Sequence, residues 1–181
     1  MVKTDRFEAV LMADVRVKDA GVGYQMQLIF EDKTILRVRA SPAVLRMRLS
    51  STGLHRATLS LRTRVNGTVR EPMYLTQIEP IDTPIQTASR TAWSVRGLVA
   101  TDPQTIVVFP ARTSLSPFRV RFRSGLIPDV EMETGLSVVA QGVLANNVIR
   151  MMSIEKTETF ELSERELRWK RWFTEHPTVL R

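Results

Sequence analysis

Arginine recurs in this sequence at a spacing of two residues: Arg37 and Arg39, Arg46 and Arg48, Arg62 and Arg64, then Arg119, Arg121 and Arg123. On an extended strand that spacing sets each group on one face. The guanidinium is a planar fork that takes phosphate or carboxylate through paired hydrogen bonds and lays its flat surface on a base. Placement sharpens the point. Residues 33 to 70 hold Lys33 and eight arginines with no Asp or Glu, a window of +9 in a chain of +7. Residues 90 to 123 add six arginines against the single Asp102, whereas residues 124 to 168 hold eight acids against four bases. A basic surface serving only solubility through charge repulsion needs neither this residue type nor this placement, since lysine would do as well.

Other chemistries find little support. With no cysteine there are no disulfides, thiolate ligands or cysteine nucleophiles. His55 and His176 stand too far apart in sequence to suggest a metal site or triad. No Gly-rich phosphate loop leads into a lysine and helix, and no Gly-x-Ser-x-Gly elbow occurs. Asp129, Glu131 and Glu133 alternate as divalent-cation ligands would, but they read better as a solvated acidic face. The expectation is a non-enzymatic protein without cofactor or metal. No apolar run approaches the roughly 20 residues of a membrane span, and the opening MVKTDRFEAV is charged, so a cytoplasmic location is expected.

Period-2 alternation defines the elements that must carry the arginines. Leu59-Ser60-Leu61-Arg62-Thr63-Arg64-Val65 sets Ser60, Arg62 and Arg64 opposite an apolar face, and Phe118–Arg123 sets three arginines opposite Phe118, Val120 and Phe122. Further strands are predicted over Phe7–Lys18, Tyr24–Phe30, Thr34–Ala40, Trp93–Ala100 and Thr105–Phe109. Asn66-Gly67, between Leu59–Val65 and Thr68–Ile78, predicts a type I′ hairpin with positive φ at both residues. Asn146-Asn147, between Leu136–Ala145 and Val148–Glu155, gives a weaker signal of the same kind.

The halves repeat. Ser41-Pro42 before Leu45–Ser50 matches Ser116-Pro117 before Phe118–Ser124. Val65-Asn66-Gly67-Thr68 matches Ala145-Asn146-Asn147-Val148, and Gln77-Ile78-Glu79 matches Ser153-Ile154-Glu155. Ser41-Pro42 alone would suit a helix cap, but the alternation of its partner argues for a strand. The predicted organisation is a mostly β chain: a first module over 1–80, a linker over 81–91, a second module over 92–160 and a C-terminal helix over 161–176. About five strands in so short a module suit a closed barrel, which leaves no exposed edge. Ser163-Glu164-Arg165-Glu166 is a capping box that starts the helix at Glu164, and Pro177 ends it. Trp169, Trp172 and Phe173 form its apolar stripe, which docks on the second module or on a partner.

Two five-strand modules, Gly97 in an opening strand and a closing hairpin over Val138–Ile154 resemble tandem OB-fold proteins, across residues 6 to 160. That resemblance implies two OB-like barrels in tandem, one face of which binds single-stranded DNA or RNA. The helix usual between the third and fourth strands is not evident in either half, and the C-terminus carries no acidic tail. The expected nucleic-acid contacts are Arg37, Arg39, Arg46, Arg48, Arg62, Arg64, Arg96, Arg119, Arg121 and Arg123 for phosphate, with Tyr24, Tyr74 and Trp93 as stacking surfaces. Trp93 serves equally well as barrel core. The alternative reading is a protein–protein adaptor or assembly subunit that meets an acidic partner through the arginines and anchors through Trp169, Trp172 and Phe173.

Overall fold

The computed structural model describes residues 8–19, 25–45, 53–81, 91–100, 102, 104–109, 117–122, 133–157 and 162–176. The first half supplies β1 (Glu8–Asp19), β2 (Gln25–Ile29), β3 (Ile35–Ala40), α1 (Pro42–Leu45), β4 (His55–Ser60) and β5 (Met73–Pro80). Alternation fixes their faces: β3 buries Leu36, Val38 and Ala40 and exposes Ile35, Arg37 and Arg39, while β4 buries His55, Ala57 and Leu59. Pairing runs β1-β2-β3-β5-β4 and returns to β1, so the sheet closes. All its pairs are antiparallel except β3 with β5, where Val38, Arg39 and Ala40 lie beside Met73, Tyr74 and Leu75. That closed five-strand order is compatible with an OB-like barrel.

The second half supplies β6 (Thr91–Val99), β7 (Thr105–Val108), β8 (Phe118–Arg121), β9 (Ser137–Ala145) and β10 (Val148–Lys156), followed by α2 (Glu164–Glu175). Its strands repeat the antiparallel pairings of the first half: first with second, second with third, first with fourth, fourth with fifth. The third-to-fifth pairing is absent among the described residues. The two halves join through β1 and β6, which pair antiparallel over Glu8–Ala13 and Thr91–Arg96, and one apolar core runs through both. The linker residues 82–90 lie outside the described residues.

A segment of the first half occupies the unpaired seam of the second. Beyond β4 the chain forms a small hairpin, Leu61–Arg70, bridged only at Thr63 and Val69. On one side the backbone N–H of Arg121, on β8, donates to Thr63 Oγ1 at 2.7 Å. On the other, Val69 N–H donates to the Asn147 carbonyl at 3.0 Å and Thr68 bridges to Val148, where β10 begins. The hairpin therefore reaches both strands that fail to meet. The β2–β3 turn adds a further link, because Asp32 Oδ2 accepts from Asn146 N–H at 3.1 Å.

Three local readings of the sequence are corrected. The Asn66-Gly67 turn is not type I′: only Gly67 has positive φ (78°), and Gly67 N–H bonds to the Arg64 carbonyl at 3.0 Å while Arg64 N–H bonds to the Thr68 carbonyl. This is a three-residue loop closed by a left-handed residue, the bulged alternative to the two-residue turn. Asn146 and Asn147, the weaker signal, are the pair with positive φ at both positions (51° and 61°). Ser41-Pro42 does cap a helix: Val44 N–H donates to Ser41 Oγ at 3.3 Å and α1 occupies the connection between the third and fourth strands. The repeat therefore aligns β8 with β3, not with the segment after Ser41-Pro42. The hairpin and Ile78/Ile154 correspondences stand, each isoleucine being buried near the end of a fifth strand.

Trp93 fills the second module. Its indole stacks on Phe122 with centroids 6.2 Å apart and donates to the Val143 carbonyl at 3.1 Å. Gly142 permits this, since a Cβ there would lie 2.7 Å from the indole and would also strike the Arg150 carbonyl. The predicted helix forms as read, with Ser163 and Glu166 completing the capping box in both directions.

Candidate nucleic-acid interface

Five arginines of the +9 window, Arg37, Arg39, Arg62, Arg64 and Arg70, lie on the outer side of the first barrel. The parallel register of β3 and β5 sets Arg39 beside Tyr74, and β4 sets Ser60 on the other side of Tyr74. Arg39 is exposed and Tyr74 is 52% exposed. Arg37, one pleat along β3, is exposed but ion-paired to Glu71 at 3.5 Å. The Leu61–Arg70 hairpin extends this surface. Its Leu61, Thr63 and Val69 are buried while Arg62, Arg64 and Arg70 lie at the alternate positions, Arg70 N–H donating to the Arg62 carbonyl at 2.8 Å. Val65, at the tip, and Ile35, at the start of β3, are apolar and exposed along the same elements.

Arg62 is the most constrained of these cations. Its guanidinium lies 4.2 Å from the ring centroid of Phe118, so the second module supplies the platform on which an arginine of the first is held flat. Desolvation, reinforced by the charge of Arg70, holds its pKa below the ordinary value, with Tyr74 acting slightly in the opposite sense. Arg62 is thus a partly buried cation beside a second cation. Among the described residues none of Arg39, Arg62, Arg64 and Arg70 has a carboxylate partner. Such a group favours an anion that can take more than one guanidinium at once.

The second module does not repeat this arrangement. Arg119, expected to point outward, is 2% exposed and donates to the backbone carbonyl of His176 at 2.6 Å, which ties β8 to the end of α2. Desolvation lowers its pKa and Asp102 partly offsets the shift. The reason lies in β8, which is buried on both faces, so its alternation of residue types does not report an outer side. Arg121 is half-buried and ion-paired with Asp102 at 3.2 Å. Arg96 is half-buried on β6, beside Val139. Trp93, offered as a stacking surface, is core. Arg46, Arg48, Arg123 and Tyr24 lie outside the described residues, as do Asp129, Glu131 and the Phe173 side chain.

Arg70 was absent from the sequence-derived site, although it lies within the +9 window. The signal that marks it is its position opposite Arg62 across the Asn66-Gly67 turn. Trp169 and Trp172 meet edge to face at 5.8 Å and pack against the chain's own core, with Trp172 also stacked on His176 at 4.6 Å. The described residues contain no group of His, Asp and Glu able to hold a metal ion and no helix long and apolar enough to cross a membrane. No family model, curated protein or solved structure matches the chain.

Proposed function

We propose that this chain is a non-enzymatic binder of single-stranded DNA or RNA, and that the strand lies along the outer face of the first barrel, from Arg39 and Tyr74 to Arg62, Arg64 and Arg70. The observation that carries the reading is the joining of Tyr74, exposed and flat, to four arginines that have no carboxylate partner among the described residues. A single strand needs cations along its backbone and planar side chains for its bases, and both are present side by side. The second module contributes through Phe118, which fixes Arg62, and not through an arginine face of its own.

Trp169 and Trp172, on which the adaptor alternative relies, are partly buried against the chain's own core. A fluorescence-anisotropy titration with labelled oligonucleotides tests the proposal. Tyr74→Ala is expected to weaken binding about 5- to 150-fold, the equivalent of one stacked base at about 1–3 kcal/mol, with the melting temperature nearly unchanged. Affinity for oligonucleotide no greater than for heparin, and insensitive to Tyr74→Ala, would refute it.

A further inference from the structure

The pairing of β1 with β6 does more than join the halves. It makes one continuous antiparallel sheet of six strands, β5-β4-β1-β6-β9-β10, whose inner row is Leu75, Leu59, Leu11, Trp93, Gly142 and Met151. Its outer face can be read from the same register. One row crosses Ser60, Val10, Ser94, Gln141 and Ser153; the next crosses Thr58, Met12, Ala92, Val143 and Arg150. Only Arg150 is charged.

The bordering positions carry both signs. Arg56 pairs with Asp14 at 3.3 Å and has Glu79 opposite it on β5, while Val139 separates Arg96 from Glu155 at the other border. Among the described side chains three acids therefore balance three arginines over this face, in a chain whose net charge is +7. The excess positive charge lies elsewhere. Among the described residues, Met12, 48% exposed, and Met152, 64% exposed beside the β9–β10 bulge, are large hydrophobic side chains on this face. Depletion of charge with retention of Met is the composition of an interface centre, not of ordinary solvated sheet.

We infer that this face is where a second copy of the chain docks, sheet against sheet. A strongly basic protein repels its own copies everywhere except where its charge is absent or balanced, and this face meets that condition. A highly acidic partner would gain nothing here and would seek the arginines instead. A two-fold dimer brings the same charge-poor patch to both sides. Five strands, β4-β1-β6-β9-β10, about 4.8 Å apart and five residues about 3.3 Å each give a patch of about 24 by 17 Å, or about 400 Å² in projection. That is below the roughly 800 Å² per partner of a standard interface, so the dimer is weak and concentration-dependent. It leaves β2, β3 and the Leu61–Arg70 hairpin uncovered.

Sedimentation velocity on the full chain, from about 5 to about 300 µM, tests this. The wild type is expected to pass from monomer to dimer across that range. Ser94→Arg, at the centre of the face, and Gln141→Arg, already exposed, each add a charge that meets its own image across the two-fold, and each should raise the dimer Kd at least about tenfold. Arg39→Ala should leave it unchanged. Raising salt from about 0.05 to about 0.5 M should hold or strengthen the dimer, since screening removes net repulsion and the contact itself is not ionic. Circular dichroism and melting curves establish that each variant is folded, and Gln141→Arg decides the matter should Ser94→Arg not fold. A wild type that stays monomeric throughout, a dimer indifferent to both folded variants, or one weakened by salt would overturn the inference.

Discussion

The sharpest consequence of the arginine surface concerns salt. Each phosphate neutralised on a single strand contributes about −0.7 to the slope of log affinity against log salt. Four arginines with no carboxylate partner among the described residues, Arg39, Arg62, Arg64 and Arg70, give an expected slope of about −2.8, a fall in affinity of about 50-fold between 50 and 200 mM. Arg64 and Arg70 are both exposed and neither has an ionic partner among the described residues, so replacing them removes cations at little cost in native contacts. In Arg64→Ala/Arg70→Ala the slope should fall to about −1.4 and the salt effect to about 7-fold. Stability should change by no more than about 0.5 kcal/mol, because exposed charges contribute little and Arg70 lies close to another cation. Anisotropy at four or more salt concentrations measures the slope, and thermal melting the stability. A slope unchanged in the double variant would place the polyanion elsewhere. A loss of binding matched by a stability loss of more than about 1 kcal/mol would make these arginines structural.

Arg62→Met keeps a long side chain on Phe118 while removing a desolvated cation; melting temperature should hold or rise while oligonucleotide affinity falls, and a drop of more than about 1 kcal/mol in stability would show the cation to be structurally required. Gly142→Ala should cost about 1–3 kcal/mol in a denaturation series, since the added methyl meets both the Trp93 indole and the Arg150 carbonyl. Asp32 sets a pH limit on the contact between halves. Burial alone would raise its pKa, but hydrogen bonds from Thr34 and from the Asn146 N–H outweigh burial and hold it below the ordinary 3.8. A carboxyl depressed in the folded state adds stability above its unfolded pKa, and that stability is lost as pH falls through the folded value. Asp32→Asn should therefore flatten the acid limb of the stability curve below about pH 4, and an unchanged limb would exclude this contribution. Residues 91–181 expressed alone should fail to give a cooperative melt, because β6 then lacks β1 and the seam between β8 and β10 lacks the Leu61–Arg70 hairpin; a cooperative melt would show the second half to be self-sufficient.

Alternation read the strands well wherever one face is buried and the other wet. β3 follows it residue by residue, and the capping box placed α2 at the right starting residue, whereas the strand expected over Leu59–Val65 is β4 at His55–Ser60. It failed where that condition fails. β8 is buried on both faces, so the arginines in Phe118-Arg119-Val120-Arg121 looked solvated although Arg119 is among the most buried polar residues. The repeat misled at Ser41-Pro42 because the dipeptide occurs at different stages of the two halves: after the third strand in the first, before it in the second. Trp93 gave no local signal of its own; its place follows from Gly142, across the sheet and far away in sequence.

The division of labour between the halves follows from the same seam. A β4–β5 connection that served only its own barrel could be a short turn, but here it runs from Leu61 to Arg70 and reaches both β8 and β10. Being buried along one side of the second module, it has one face for Leu61, Thr63 and Val69 and only the other for Arg62, Arg64 and Arg70. Docking therefore fixes the direction in which its cations point. It also places Phe118 beneath Arg62, which restrains a guanidinium that would otherwise lose rotamer freedom on meeting a phosphate. On β8 the described arginines are engaged in structure, Arg119 with His176 and Arg121 with Asp102, and the same strand holds the first half's hairpin in place. A substitution that loosens the seam without touching an arginine, such as Thr63→Val, should on this argument weaken polyanion binding, because Arg121 N–H loses its acceptor and the hairpin its anchor. Unaltered oligonucleotide affinity in a Thr63→Val protein of reduced stability would separate the hairpin's structural role from its binding role.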